Sequence, residues 1–399
     1  MGKRVLSPGV KYLQSIHFTP VGGRQRLLRS LTKTFGEEKA SEILGQVLKV
    51  KDRSLEFYEL LNADPEISRC YSESYEGDFI KNGCNFISDH KEWFGKSILE
   101  VGCGAGYTTG FLAQMFPDAR IVAIDRSANA IRIARERLGK MGIQNVEFQN
   151  CSPEELDEKF DTVLTMRTVR ENWISEKEPF FGEPVVLQFK CYKEITEKYT
   201  EALLTCLSEN GSLIAFERMH NDPLLCGWWL QLNDKKCSPV LETRKRYFCE
   251  EAGEEIEIQA FLAKRGLENK CENILHFWYE AIEVDPTDKM ELEGWNALVY
   301  LQDHVGRLIR GIYILSDKGK VLGRHAVFTD EEQDDLLYCL DATGGRKVRM
   351  AYFHSSLINE LDNRLQQIIE INEIYGFSYR EIDVEKDIVE RVMIDDFLM

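Results

Sequence analysis

The sequence lacks any long hydrophobic run. Its apolar stretches are short, such as Pro184 to Leu187, and none approaches the ~18 residues that would indicate a membrane span. The N-terminus has no apolar segment typical of a signal peptide, and Leu6 stands where a myristoylation motif has Ser or Thr. We therefore expect a cytoplasmic protein with no membrane partner.

Paired cysteines and an excess of positive charge are also absent. The eleven cysteines stand singly, with no C-x-x-C pair and no histidine at zinc-ligand spacing, which argues against a metal site or a redox motif. The formal net charge is −17, which disfavours broad contact with nucleic-acid phosphates. We expect no bound metal and no nucleic-acid partner. Residues 1–53 carry eleven Lys and Arg against four Asp and Glu, and this basic segment either attracts the acidic remainder or binds an anion.

The composition is that of a globular protein. Hydrophobic residues make up 43% and charged residues 29% of the 399 positions, and a chain of this length has room for a principal domain of roughly 200 residues with flanking units. Apolar residues recur at helical spacing from Arg24 to Leu61, until Asp64-Pro65 breaks the pattern. We predict two or three helices there and a helical N-terminal cap over residues 1–95.

Short apolar strands then alternate with helix signals. Ser127, for example, is the predicted N-cap of a helix over Ala128 to Leu138. The alternation predicts a doubly wound parallel sheet within a domain over residues 96–290. Two later segments, Arg244 to Lys264 and Ile274 to Val284, are expected to complete it. The first five predicted strands are Ser97 to Val101, Arg120 to Ile124, Val146 to Phe148, Thr162 to Met166 and Ser212 to Phe216.

The segment 291–399 predicts a separate α+β accessory domain. Gly311 to Phe328 contains two apolar runs joined through Asp317-Lys318-Gly319, which indicates a β-hairpin. Thr329 and Glu332 fit a capping box, so we predict a helix directly after the hairpin. Two roles are open for this domain, which are substrate recognition and pairing of subunits in a homodimer. The remaining predicted elements are a strand over Val348 to His354 and a helix over Ser356 to Tyr375.

A glycine-rich turn stands where the first strand gives way to a helix. Gly102, Gly104 and Gly106 form G-x-G-x-G, and Tyr107 occupies the place where a dinucleotide-binding motif has its last glycine. Glycines let the backbone pass close to a ligand, and the helix N-terminus beyond them offers free N–H groups. Glu100 puts a carboxylate beside this loop, which repels a pyrophosphate and attracts a cationic amino group.

The second strand ends in another carboxylate. Asp125 comes nineteen residues after Gly106, at the carboxyl end of its strand, where open α/β sheets bind their ligands. This spacing suits an acceptor for ribose hydroxyls, and one Asp can hold two of them.

The motifs together resemble the class I S-adenosylmethionine-dependent methyltransferases. The likeness rests on Leu99 to Tyr107, on Phe-Pro-Asp before the second strand, on Asp125, and on Phe160 to Leu164 at the fourth strand. It implies a Rossmann-like, mostly parallel seven-stranded sheet, an enzyme of the transferase class, and S-adenosyl-L-methionine as cofactor.

The resemblance also implies roles for individual residues. Glu100 and the backbone of the three loop glycines would hold the methionine portion, Asp125 the ribose hydroxyls, and Arg126 would flank the adenine. Many members have an Asp after the third strand for the adenine amine, whereas this chain has Asn150 and Ser152 near that place. Either could bind adenine, and Ser152 could instead cap the following helix. Met166, which ends the fourth strand, completes the predicted cofactor contacts.

The methyl acceptor is expected above the carboxyl ends of the fourth and fifth strands. Transfer from a sulfonium needs orientation, exclusion of water and, for some nucleophiles, a base, but it needs no metal. Arg167 or Arg170 is a candidate to hold an acceptor carboxylate bidentately, and Glu171 or His220 is a candidate base. For each of these residues, a surface ion pair or helix-end role is the alternative.

Four aromatic residues near the predicted site allow two interpretations each. Tyr71 and Tyr75 precede the sheet domain, where aromatic residues of several family members close over the cofactor, but they could equally pack the cap onto the domain. Trp228 and Trp229 follow the fifth strand and belong either to the core or to an acceptor pocket.

Three functions are open at this stage. The first is O- or N-methylation of a small polar metabolite, favoured by the acidic surface and the capped cleft. The second is methylation of a peptide or protein side chain, with the C-terminal domain binding the substrate. The third is a non-catalytic scaffold that binds the cofactor. The fold does not choose between acceptor atoms.

Overall fold

A computed structural model gives the architecture of most of the chain. The described residues are 6–20, 24–49, 54–172, 185–219, 223–251, 254–270, 274, 291–293, 305–316, 318–319, 321–330, 335–342, 347–354 and 358–382.

Helices precede the first strand, as the periodicity predicted. Ser7, Ser54 and Asp64 each begin a helix with a side-chain oxygen that accepts from the first turn. Pro65 stands in the first turn, so Asp64-Pro65 ends one helical pattern by starting another. The elements are α1 (Pro8–Ser15), α2 (Arg24–Phe35), α3 (Glu37–Lys49), α4 (Leu55–Leu61), α5 (Pro65–Tyr71), a π-helical segment (Ser72–Glu76) and α6 (Gly77–Asp89).

The first sheet consists of β1 (Ser97–Val101), β2 (Arg120–Ile124), β3 (Val146–Gln149), β4 (Phe160–Met166), β5 (Leu207–Glu217), β6 (Cys237–Pro239), β7 (Lys245–Glu251) and β8 (Glu254–Arg265). Seven strands lie in the order β3-β2-β1-β4-β5-β8-β6, and β7 also pairs with β8. Pairing is parallel from β3 through β5 and antiparallel between β5 and β8. The predicted doubly wound, mostly parallel seven-stranded sheet is confirmed.

Helices connect these strands, and the loops between strand and helix lie at the carboxyl ends of the strands. Ser127 Oγ accepts from the N–H of Ala130 at 3.1 Å, which confirms the predicted N-cap. Because β1, β2 and β4 are parallel, the loops after them meet at one edge of the sheet. The helices are α7 (Tyr107–Met115), α8 (Ala128–Lys140), α9 (Val169–Asn172), α10 (Val185–Thr205) and α11 (Pro223–Asp234).

The core of this sheet is apolar and joins the N-terminal helices to it. Ile98, Ile121 and Phe216 are fully buried in one cluster with residues of α1, α6 and α7, and each such side chain contributes about 1.5–3 kcal/mol. Tyr12 of α1 also donates its hydroxyl to the carbonyl of Tyr107 at 2.7 Å. The helix that follows the glycine loop is thereby held from the N-terminal side.

A second sheet is entirely antiparallel. Its strands are β9 (Glu291–Glu293), β10 (Val305–Leu315), β11 (Val321–Asp330), β12 (Asp335–Ala342), β13 (Lys347–His354) and β14 (Ser378–Glu381), in the order β14-β10-β11-β12-β13-β9. The predicted hairpin is confirmed as β10 and β11, and the later strand as β13. The predicted last helix is confirmed as α12 (Ile358–Ile374), and its buried side chains include Leu361, Leu365, Ile368 and Ile369.

The helix predicted after Thr329 is wrong. Thr329 lies within β11, paired with Leu336 of β12, and its hydroxyl accepts from the N–H of Arg307 at 2.8 Å. The Thr329 hydroxyl is thus used within the sheet and does not cap a helix. The apolar run from Leu336 to Leu340 is short, as strands are, and pairs on both sides, with β11 and with β13.

The chain divides into two compact units. The first comprises residues 1–174, 196–220 and 232–268, and the second comprises 175–195, 221–231 and 269–399. The division into residues 1–95, 96–290 and 291–399 stays a prediction. The strand predicted over 274–284 lies outside the described residues, apart from Ile274. In the part of the chain that is described, no helix is long and apolar enough to cross a bilayer.

Candidate cofactor and acceptor site

One cavity lies at the carboxyl ends of β1, β2 and β4. Its wall combines the glycine loop, the end of β2, the turn after β4 and side chains from α4 to α6. The predicted residues that line it are Gly102, Gly104, Asp125, Arg126, Met166, Arg167 and Glu171.

The three loop glycines have left-handed backbone angles, with φ of 73°, 52° and 78° at Gly102, Gly104 and Gly106. Their surroundings differ. A Cβ at Gly102 would lie 2.2 Å from Thr168 Cγ2, and one at Gly106 would lie 2.9 Å from Ala134 Cβ. A Cβ at Gly104 would have no neighbour within 4 Å among the described residues. Gly104 therefore leaves open space above the loop, whereas Gly102 and Gly106 allow close packing.

Asp125 is oriented by two backbone donors. Its Oδ2 accepts from the N–H of Gly104 and its Oδ1 from the N–H of Ser127, both at 2.8 Å. Burial raises the pKa of this carboxyl, and the two backbone hydrogen bonds oppose that shift. The carboxylate is thus held between the glycine loop and the start of α8, on the wall of the cavity.

Glu100 lies beneath the same loop and is 1% exposed. Its Oε1 accepts from Thr108 Oγ1 at 2.7 Å, while Oε2 has no hydrogen-bond partner among the described residues. Burial raises the pKa of this carboxyl to about 7. A buried carboxylate oxygen without a donor is costly, and Glu100 directly precedes Val101 of the cavity wall without lining the cavity itself.

The adenine end of the site differs from the prediction in detail. Arg126 is exposed and lines the cavity. Asn150 donates to the carbonyls of Asp125 and Arg126, both at 2.9 Å, and so braces the loop after β2. Ser152 bonds through its N–H and hydroxyl to Glu155. Neither Asn150 nor Ser152 lines the cavity, and their role with adenine stays a prediction. The residues there that do line it are Cys151 and Pro153.

The turn after β4 carries a buried arginine. Arg167 is 8% exposed and has φ of 62°, a left-handed conformation that is rare and strained for a residue with a Cβ. Its Nη2 donates to Glu251 Oε1 at 2.5 Å, and Glu171 and Glu76 lie 3.6 Å and 3.9 Å from its other nitrogens. Burial alone would lower the pKa of Arg167, but these three carboxylates raise it above its ordinary value. Arg167 is therefore already enclosed by anions.

Of the two candidate bases, the structure describes only Glu171. Glu171, on α9, lines the cavity and accepts from the hydroxyl of Tyr58 at 2.5 Å, so a residue of α4 holds it. His220 lies outside the described residues. The catalytic roles of Glu171, His220 and Arg167 stay predictions.

The cap contributes its own residues to the cavity. Tyr71 lines it and stacks on Tyr75, with ring centroids 4.9 Å apart. The π-helical segment adds Ser72 and Glu76 to the wall, and π-helical turns of this kind are frequent at functional sites. Burial raises the pKa of Glu76, and Arg167 opposes that shift.

Several functional candidates escaped the sequence-based reasoning. Glu76 was hidden because helical periodicity does not reveal a π-helical insertion. Tyr58 and Glu251 are far from Arg167 and Glu171 in sequence and meet them only through the fold. Glu217, which was expected near the acceptor, lies at the end of β5 and instead accepts from the N–H of Val169 at 3.1 Å. The two tryptophans of α11, Trp228 and Trp229, are buried and do not line the cavity.

The geometry suits one kind of ligand. Gly104, with open space above it, and the strand-terminal Asp125 line one cavity on a mostly parallel sheet, and the buried Glu100 directly precedes Val101 of the cavity wall. These features are those that the resemblance to class I S-adenosylmethionine-dependent methyltransferases implies, and the residues present fit that cofactor.

The comparison with known families agrees. Residues 94–225 match a family model described as "Methyltransferase domain". The matched segment contains β1 through β5 and the whole glycine loop. Over residues 94–225 the chain therefore contains a methyltransferase domain, and its fold is that of the class I, S-adenosylmethionine-dependent methyltransferases.

Curated relatives are similar over short segments. The malonyl-[acyl-carrier protein] O-methyltransferase of Acetivibrio thermocellus is 42% identical over 81 residues, which is 20% of this chain and 27% of that protein. The ribosomal RNA small subunit methyltransferase G of Bacteroides fragilis is 32% identical over 71 residues, 18% of this chain and 34% of that protein. The chain thus spans about a third or less of the length of these relatives. Since one relative is named for ribosomal RNA, the expected absence of a nucleic-acid partner stays a prediction.

A solved S-adenosylmethionine-dependent methyltransferase from Aquifex aeolicus is 18% identical. The alignment covers 55% of this chain and 97% of that structure, with a TM-score of 0.31.

Proposed function

We propose that the protein transfers a methyl group from S-adenosylmethionine to an oxygen or nitrogen of a small polar acceptor. The observation that carries this proposal is the cavity that Gly104, with open space above it, shares with the strand-terminal carboxylate of Asp125. An ionised Glu100 would pair with the cofactor's amino group. The carboxylate of Asp125 would accept from the ribose hydroxyls. Arg126 would lie beside the adenine, together with Cys151 and Pro153.

When bound, S-adenosylmethionine supplies a methyl group already activated by its sulfonium. The chain's residues then have three tasks, which are to orient the acceptor, exclude water and accept a proton where the nucleophile carries one. Phe79 and Tyr71 of the cap supply apolar wall that excludes water, while Glu76 and Glu171 are the carboxylates of the cavity wall near Arg167.

Calorimetric titration tests the proposal. We expect S-adenosylmethionine and S-adenosylhomocysteine to bind the intact chain, and Asp125→Ala to weaken both by at least about tenfold, since it removes the acceptor for two hydroxyl groups. The matched control is Asp118→Ala, which alters an exposed carboxylate away from the cavity. Failure of the intact chain to bind either compound would contradict the proposal.

A second candidate is an acceptor carried on a protein or peptide. Support comes from a relative whose name refers to a malonyl group on an acyl-carrier protein. With methyl-labelled S-adenosylmethionine and a cell extract, label in the protein fraction would favour this candidate, and label in the small-molecule fraction would favour the first. Tight cofactor binding with no label in either fraction would favour a non-catalytic scaffold.

A further inference from the structure

The inference concerns the acceptor end of the cavity and rests on the proposed function. We propose that the acceptor is an amine with a neighbouring carbonyl or hydroxyl oxygen, and that Glu76 binds the amine while Arg167 donates to the oxygen. The site is thereby assigned to N-methylation of a compound related to amino alcohols or amino-acid amides, and carboxylates lacking an amine are excluded as acceptors.

The charges around Arg167 carry the first step. Glu76, Glu171 and Glu251 lie within 4 Å of its guanidinium, and Arg218 Nη1 lies 3.2 Å from Glu251 Oε2. Three carboxylates thus lie around the one guanidinium of Arg167. An anionic acceptor beside Arg167 would be repelled by these carboxylates, whereas an ammonium group would be attracted by them.

The second step is the free oxygen of Glu76. Its Oε2 accepts from Ser72 Oγ at 2.9 Å. Its Oε1 has no donor within hydrogen-bond distance among the described residues, since Arg167 Nη1 is 3.9 Å away. The π-helical segment brings this oxygen to the cavity wall. An ammonium group in the cavity would supply the missing donor.

The third step concerns Arg167 itself. Its Nε and Nη1 have no hydrogen-bond partner among the described residues, although the side chain is more than nine-tenths buried and lines the cavity. Buried donors of this kind are rarely left unpaired. An anion could pair with them, but it would lie beside the three carboxylates that surround Arg167. A neutral carbonyl or hydroxyl oxygen satisfies them without that repulsion.

Transfer to an amine requires one proton transfer and one substitution. The ammonium form first gives a proton to Glu76, which is compatible with a carboxyl whose proton affinity is increased by burial. The nitrogen lone pair then forms the new nitrogen–carbon bond while the carbon–sulfur bond breaks. The bonding electron pair goes to sulfur, which becomes a neutral thioether.

Matched acceptor libraries test the assignment on the full chain. One contains amino alcohols and amino-acid amides, the second contains amines without oxygen, and the third contains hydroxy acids without nitrogen. Release of S-adenosylhomocysteine is measured for each, and the best compound is titrated by calorimetry into the S-adenosylhomocysteine complex. We expect turnover and binding with the first library, and at least about tenfold weaker values with the second, since one hydrogen bond to a charged group is lost.

Two variants locate the effect. Glu76→Gln is expected to lower kcat/KM for the best amine by about a hundredfold, as for loss of a proton acceptor, and to weaken calorimetric binding of that amine. Glu66→Gln is the control, because Glu66 is an exposed carboxylate paired with Arg69. Both variants should bind S-adenosylmethionine as the parent does, which also shows that they fold.

The outcomes separate the two proposals. Turnover of hydroxy acids alone, turnover of no library despite intact cofactor binding, or an unchanged Glu76→Gln would each overturn the amine assignment. Absence of cofactor binding by the parent chain would instead contradict the proposed function.

Discussion

The two glycines Gly104 and Gly106 offer the sharpest test of the loop. Both have left-handed φ angles, 52° and 78°, so alanine at either position costs about 1–2 kcal/mol in backbone conformation. At Gly106 the new Cβ would also lie 2.9 Å from Ala134 Cβ and 3.2 Å from its Cα. Overpacking of this kind adds about 1–3 kcal/mol.

The two substitutions should therefore differ in their main effect. Gly106→Ala should mainly lower stability, and Gly104→Ala should mainly weaken cofactor binding. Gly106→Ala is expected to lose about 2–5 kcal/mol of stability in the ligand-free protein, the sum of the backbone and overpacking costs. Gly104→Ala should lose only about 1–2 kcal/mol, because its Cβ enters open space. That space is where the proposed cofactor would lie, so crowding of about 1–3 kcal/mol there weakens binding by roughly tenfold to a hundredfold.

The measurements are urea denaturation without ligand and calorimetric titration of S-adenosylmethionine. If Gly104→Ala bound the cofactor as tightly as the parent, the cofactor would not lie over this glycine. If the two variants were equally stable, the contact between Gly106 and α8 would be unimportant. Either result would refute the assignment of packing against α8 to Gly106 and of space for the cofactor to Gly104.

Two further predictions concern carboxylate and hydroxyl groups. Burial raises the pKa of Glu100 from 4.5 to about 7, so between these values the folded protein keeps a proton that the unfolded chain has released, and stability falls as pH rises through this window. Glu100→Gln should reduce that fall, measured by denaturation from pH 4 to 8, and the remainder is expected from Glu217, whose pKa burial also raises to about 7. The same variant should remove the rise in S-adenosylmethionine affinity expected as Glu100 ionises; an unchanged pH profile of both quantities would contradict the prediction. Ser152→Ala should cost no more than about 1 kcal/mol and leave cofactor affinity unchanged, because Ser152 bonds to Glu155 and lies off the cavity wall; a large loss of affinity would restore its predicted adenine contact.

The sheet and the cofactor loop were predictable because their signals are local. A short apolar strand, a glycine turn and a helix are contiguous in sequence, and parallel strands bring Gly104 and Asp125 to one edge whatever the details of packing. The helix caps at Ser127 and Asp64 are equally local. The same reasoning failed after Thr329, since a capping box and a strand end share residue types, and only the pairing of β11 with β12 decides between them.

The acceptor end was not predictable because its chemistry depends on partners distant in sequence. Arg167 alone suggested a group for holding a carboxylate. The fold adds Glu251, which comes 84 residues later, and Glu76 from a π-helical segment that no periodicity reveals. Each added carboxylate changes what the arginine can bind. A guanidinium with no carboxylate nearby attracts anions. One that already has three carboxylates around it forms part of a wall rich in negative charge. The residue type therefore indicated a site, but the three carboxylates around Arg167 are revealed only by the three-dimensional arrangement.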